Sequence, residues 1–237
     1  MYNMEQTDTK VVIDSISAYI LDEYSKDEVI LVGMHPYEDS SYSDNLELVI
    51  KPETGYPITL KLAYSGYNMK LFSGDFTNDN KDEIMVRGSF GWSGVFEIGS
   101  IYKLIDDKIK EIFNQNDIVK NSPCTAKYKD NYKVHVSCGN KKYSINLANR
   151  PKDYLNLIYD SEGKVKPEAT ASVDAPDALF PIKDVDNNYH EFLIQQRIVG
   201  IINADTLGII QTQCNLLDDK LTIVKKGIYF SFNFKNI

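Results

Sequence analysis

One stretch of this sequence has the residue types and spacing for chemistry: Asp75-Phe76-Thr77-Asn78-Asp79-Asn80-Lys81-Asp82-Glu83. Oxygen ligands at positions 1, 3, 5 and 9 of a tight loop, with a backbone carbonyl at 7, can surround a hard cation such as calcium. Asp75, Thr77, Asp79 and Glu83 fall on the side-chain positions, and Lys81 falls on the carbonyl position. Position 6 needs a left-handed backbone. Asn80 stands there, the residue most tolerant of that conformation after glycine. Position 12 is Val86 rather than an acid, so the loop is not an EF-hand. Three carboxylates and one hydroxyl predict a single calcium site of modest affinity, on the order of 10⁻⁴ to 10⁻³ M. The competing reading is a polar turn held by its own Asp and Asn side chains, without metal.

No other motif assigns catalysis. His35, His135 and His190 are far apart in sequence, and none has a second His or Cys at ligand spacing. There is no GxSxG elbow, HExxH helix or GxxxxGK[ST] phosphate loop. The glycines of GSFGWSG precede FEIGSIY, which reads as a strand, whereas a dinucleotide loop needs a helix after it. No residue is therefore given a catalytic role.

Two features point instead to a partner. Trp92, the only tryptophan, and Phe90 share that glycine-rich loop, where exposed rings contact sugars or proteins. The alternative is a ring folded back over its own strands. The second feature is charge: residues 120–152 hold eight Lys/Arg against Asp130 alone, a local +7 in a chain of net charge −8. Such a strip suits an anionic polymer or an acidic partner, or else it is the solvated face of a hairpin. The acidic total argues against a general nucleic-acid binder.

The elements that must carry these residues are strands. Sixteen Tyr and ten Phe accompany many Ile and Val, which suit a pleated, half-buried surface. A 237-residue chain is long enough for one substantial core or two small ones, and no apolar run reaches membrane-span length. The opening MYNMEQTDTK lacks a secretory leader's basic-then-apolar pattern, so a leader is either absent or already removed. Cys124 and Cys138 flank a predicted hairpin turning near Asp130-Asn131, which brings them roughly opposite each other as a disulfide or as two buried thiols. One short helix is expected at 151–160, where Pro151 suits the first helical position and Tyr154, Leu155 and Ile158 share a face.

Self-similarity organises the rest. SKDEVILVG at 25–33 matches NKDEIMVRG at 80–88, and LFSGDFTNDNKDEIMV at 71–86 matches LFPIKDVDNNYHEFLI at 179–194. LIDDKIKEI at 104–112 likewise matches LLDDKLTIV at 216–224. These spacings predict a mainly β, propeller-like single domain of about four units of roughly 55 residues, at 15–70, 71–125, 126–178 and 179–237. The first unit's loop positions (Ile20, Asp22, Tyr24, Lys26, Glu28) lack the first acid. In the fourth unit a deletion puts Glu191 at position 8, so only the second loop keeps the full ligand set.

LFSGDFTNDNKDEIMV resembles the GDFNGDGxxDI-type signature of FG-GAP and VCBS repeats, and with GYNMKLFSGDF, YKDNYKV and NADTLGIIQT the likeness extends over roughly 15–230. The resemblance implies an integrin-like β-propeller whose complete cation loops brace the blades of an interaction protein. The expectation is a non-catalytic, calcium-braced domain that binds a protein or polysaccharide in an extracellular or cell-envelope setting. The alternatives are a polysaccharide-acting hydrolase, or a structural component of a bacterial envelope or spore layer.

Overall fold

Apolar alternation with a period of two dominates the chain, and strands dominate the computed structural model, which describes residues 9–37, 40–91, 96–183 and 185–230. Contacts divide it into two compact units: Met1–Gln115, Leu179–Leu193 and Gln213–Val224 form one, and Asn116–Ala178, Ile194–Thr212 and Lys225–Ile237 form the other.

The first unit is built on an eight-stranded antiparallel meander. Its strands are β1 (Val11–Ala18), β2 (Asp27–Met34), β3 (Tyr42–Lys51), β4 (Ile58–Lys61), β5 (Gly66–Gly74), β6 (Glu83–Ser89), β7 (Glu97–Ile105) and β8 (Lys108–Asn114). They hydrogen-bond in the order β1-β2-β3-β5-β6-β7-β8, with β4 also paired to β3. Leu31, Leu48, Ile50, Ile84 and Val86 bury one core. The β7–β8 connection is two residues long, and Asp106 and Asp107 both have positive φ (51° and 56°), the geometry of a type I′ hairpin turn.

The second unit begins with a short helix, α1 (Gln115–Asn121), that the sequence pattern does not reveal. A three-stranded antiparallel sheet follows, β9 (Cys124–Lys129), β10 (Lys133–Cys138) and β11 (Lys141–Asn146), in the order β11-β10-β9. The predicted hairpin forms: Cys124 stands opposite Cys138, the two are joined in a disulfide, and Asn131 and Tyr132 turn the chain with positive φ. The expected helix is α2 (Lys152–Ile158), with Pro151 as its N-cap and Leu155 and Ile158 buried against Val134, Val136 and Ile145.

The last four strands, β12 (Ser172–Ile182), β13 (Glu191–Val199), β14 (Thr206–Asn215) and β15 (Thr222–Tyr229), pair in chain order as a third sheet. The long repeat is thus real at the level of a four-strand meander, since 71–86 and 104–112 lie in β5–β8 while 179–194 and 216–224 lie in β12–β15. Asp218 and Asp219 even repeat the paired positive φ of Asp106 and Asp107. Four propeller blades, however, are not what the described strands form: they group as eight, three and four. Residues 126–178, expected as the third unit, hold a three-stranded sheet and a helix. The repeated motif marks a turn entering a strand, a local event that does not dictate how sheets close.

Candidate functional site

The acidic loop connects β5 to β6. Its first residue, Asp75, accepts hydrogen bonds from the backbone N–H groups of Asn78, Asp79 and Asn80, and Asn78 and Asn80 take the left-handed backbone (φ 63° and 66°). Asp79 accepts from the Lys81 N–H at 3.1 Å. Glu83 opens β6 with its side chain 1% exposed, accepting from the N–H groups of Phe76 (2.7 Å) and Thr77 (3.1 Å) and from the Thr77 hydroxyl (2.8 Å).

Three of the five expected ligands, Thr77, Asp79 and Glu83, meet a cation supplied by the chain itself, whereas Asp75 and the Lys81 carbonyl have no hydrogen bond or ion pair with it. Lys103 Nζ, from β7, lies 2.9 Å from Thr77 Oγ1, 3.1 Å from Asp79 Oδ2, 3.6 Å from Glu83 Oε1 and 2.9 Å from Asp219 Oδ1. Burial alone would lower the Lys103 pKa, but hydrogen bonds to Asp219 and Asp79 outweigh it and hold the ammonium above its usual value. Burial raises Glu83 to about 7 against the opposing pull of Thr77, Phe76 and Lys103. Most of the carboxylate oxygens of the loop accept from N–H groups, and the Lys103 ammonium stands among the remainder. No group of three or more His, Cys, Asp or Glu side chains suited to a metal occurs among the described residues.

The same device recurs one turn earlier, in different register from the sequence match. Asp27 opens β2, buried, and accepts from the N–H groups of Ile20 and Leu21. These lie seven and six residues before it, as Phe76 and Thr77 lie before Glu83. The aligned Glu28 is exposed and pairs with Lys51. Glu191, buried at the start of β13, accepts instead from the Gln213 side-chain amide. Asp27 and Glu83 each tie a turn to the strand that follows it, whereas Glu191 joins β13 to β14.

Phe90 follows β6, 44% exposed, with its N–H bonded to the Phe96 carbonyl at 3.0 Å. Trp92 lies outside the described residues. His190 packs between Phe72 and Phe76, where burial lowers its pKa.

The charged strip of 120–152 resolves into a face. Ala126, Tyr128, Val134, Val136, Cys138 and Ile145 point inward from β9–β11. By the two-residue period, the outward face comprises three cross-strand rows: Lys129-Lys133-Asn146, Lys127-His135-Ser144 and Thr125-Ser137-Lys142. It carries four lysines, a histidine and no acid. None of the four ammonium groups has an ion-pair partner among the described residues. Lysines on edge strands discourage edge-to-edge pairing, which accounts for β9 and β11 but not for Lys133 and His135 on the central strand. Lys129 and Lys133 stand directly opposite each other, an arrangement that costs stability.

Ser144 and Asn146 also line a cleft of about 580 Å³ with Arg150, Thr206, Leu207 and Phe230. The Arg150 guanidinium lies 5.8 Å from the Tyr154 ring centroid, and the Tyr154 hydroxyl donates to Asp205 at 2.6 Å.

This part of the chain is also where a family model matches: the YybI C-terminal domain, over residues 122–229. The uncharacterized protein YybI of Bacillus subtilis (strain 168) is 31% identical over 190 residues, which cover 78% of this chain and 72% of that protein. No solved structure matches the chain. These matches overturn the resemblance to FG-GAP and VCBS repeats. The likeness rested on an Asp-rich turn before a strand, which Asp and Asn build in many β proteins through their preference for left-handed turns.

Proposed function

We propose, from the premise that the chain belongs to the family of YybI, that it is a non-catalytic protein binding an anionic polysaccharide through the outward face of β9–β11. One observation carries this reading: Lys127, Lys129, Lys133 and Lys142 share an exposed face with no acid, in a chain of net charge −8. Neighbouring strands about 4.8 Å apart, and rows about 6.6 Å apart along them, space the positive charges within reach of several charges of a linear polyanion. The face carries no Phe, Tyr or Trp among its outward positions, and the chain is acidic overall, which favours a sugar polymer over single-stranded nucleic acid.

Among the described residues that line the cleft beside the face there is no carboxylate, so they do not offer the acid pair that a glycoside hydrolase uses. This favours binding over hydrolysis. The Cys124–Cys138 disulfide supports a setting outside the reducing cytosol, in keeping with an envelope or extracellular polymer. Calcium has no part in this reading, because Lys103 already supplies the cation of the acidic loop.

The test is titration with polygalacturonate at rising salt, with dextran as the neutral control. The expected result is binding that weakens with salt and falls at least tenfold in Lys129→Gln/Lys133→Gln, while dextran does not bind. Equal binding by wild type and the double variant, or equal binding of dextran, overturns the proposal.

A further inference from the structure

Resting on that reading, we infer that the cleft beside β11 is a subsite receiving one oxyanion-bearing sugar unit of the polymer, its anion on Arg150 and its ring against Phe230. The strand order makes β11 an edge, so the outward positions Ser144 and Asn146 belong both to the basic face and to the cleft wall. A chain lying along the lysines therefore meets the cleft without leaving the protein surface.

The cleft has the two parts that sugar recognition needs. Ile145, Leu147 and Leu207 give it a buried apolar floor, while Asn146, Asn149 and Thr206 offer amide and hydroxyl groups at its rim. Phe230 is 47% exposed, and a methyl group added at Gly208 would stand only 3.3 Å from its ring. One side of the ring region is thus occupied by backbone, and the exposed remainder presents an apolar surface to the cleft.

Arg150 supplies the charge. It is exposed, has no ion-pair partner among the described residues, and rests against a tyrosine whose hydroxyl is anchored on Asp205. A guanidinium held this way meets a carboxylate or phosphate with two parallel N–H donors, which a lysine cannot reproduce. The volume, about 580 Å³, lies in the range of small-molecule sites and admits a sugar unit.

Digalacturonate is short enough to test the cleft, and polygalacturonate reports on the whole surface. We expect Arg150→Gln and Phe230→Ala each to weaken digalacturonate binding about tenfold, with Arg150→Lys restoring only part of the loss. Polygalacturonate binding should change by less than about threefold in the same variants, because the lysine face still holds it. Monomeric glycerol phosphate run in parallel with digalacturonate distinguishes the anion: stronger binding than digalacturonate, weakened about tenfold in Arg150→Gln, assigns phosphate in place of carboxylate. If digalacturonate binding is unchanged in both cleft variants while Lys129→Gln/Lys133→Gln loses the polymer, the subsite is overturned and the face reading stands. If the lysine variant binds polymer normally while Arg150→Gln loses the disaccharide, the face reading falls and the cleft stands as the site. Failure of wild type to bind any of these anions overturns both.

Discussion

The ammonium of Lys103 lies 3.6 Å from the buried carboxylate of Glu83, among the side chains of the acidic loop. Its charge serves Asp79 and Asp219 as well, so one residue compensates three acids. Lys103→Met should therefore destabilise the first unit by on the order of 3 kcal/mol, the usual cost of leaving a buried charge unpaired. Millimolar calcium should leave the wild-type melting temperature unchanged and recover part of the loss in Lys103→Met. Thermal melts of both proteins in EDTA and in calcium check this. A saturable rise in the wild type would restore calcium as the natural occupant.

Glu83 also makes stability depend on pH. Its carboxyl titrates near 7 when folded because burial penalises the charge, against 4.5 when unfolded. Between those values the folded state binds more protons, so this group's contribution is complete below about pH 4.5 and is lost as pH rises through 7. Burial lowers His190, which works in the opposite direction over much of this range. The comparison that isolates Glu83 is thus wild type against Glu83→Gln. The stability of wild type relative to the variant should fall from pH 5 to pH 8 in urea melts. A constant difference would show that Glu83 is ionised throughout.

What could be read from the sequence was whatever a short window determines. The alternation of TAKYKDNYKVHVS gave the hairpin and set Cys124 opposite Cys138, but left disulfide and free thiols both open, since burial suits either. The match of 104–112 to 216–224 found two turns that share a backbone conformation at paired aspartates. The loop pattern put Asp75, Thr77, Asp79, Lys81 and Glu83 around a cation, whereas Lys103, which reaches Thr77, Asp79 and Glu83, lies twenty residues beyond the motif and Asp219 more than a hundred residues further on. Alignment of KDE with KDE chose Glu28 where folding buries Asp27, because the N–H groups of the preceding turn select the acid by its distance from them. The cleft was invisible because Ser144, Arg150, Thr206 and Phe230 come together only through strand order.

Lys129 and Lys133 stand opposite each other in the second unit, so the proposed binding face should carry a cost in stability. Lys133→Gln removes a like-charge cross-strand pair and should stabilise the protein by about 0.2–1 kcal/mol. The same change should weaken binding to polygalacturonate. Denaturant melts and titrations on a single preparation measure both effects. Loss of stability together with loss of binding would mean that Lys133 has a structural role that the exposed face does not show.

The disulfide of the same sheet should matter most to folding. Cys124 and Cys138 are 14 residues apart, and closing a loop of that size stabilises by about 3 kcal/mol in the chain-entropy account. For a chain of this length, Cys124→Ser/Cys138→Ser should then lower the melting midpoint by roughly 6–12 °C. Lys129 and Lys133 flank the turn that this bond helps to close, so polymer binding should weaken with it when reductant is added near the midpoint. Thiol titration checks the premise first. Cys214 is buried and lies outside the disulfide, so the native protein should show no reactive thiol, the denatured protein one, and the denatured and reduced protein three. Three thiols on denaturation without reductant would remove the bond and the stability assigned to it.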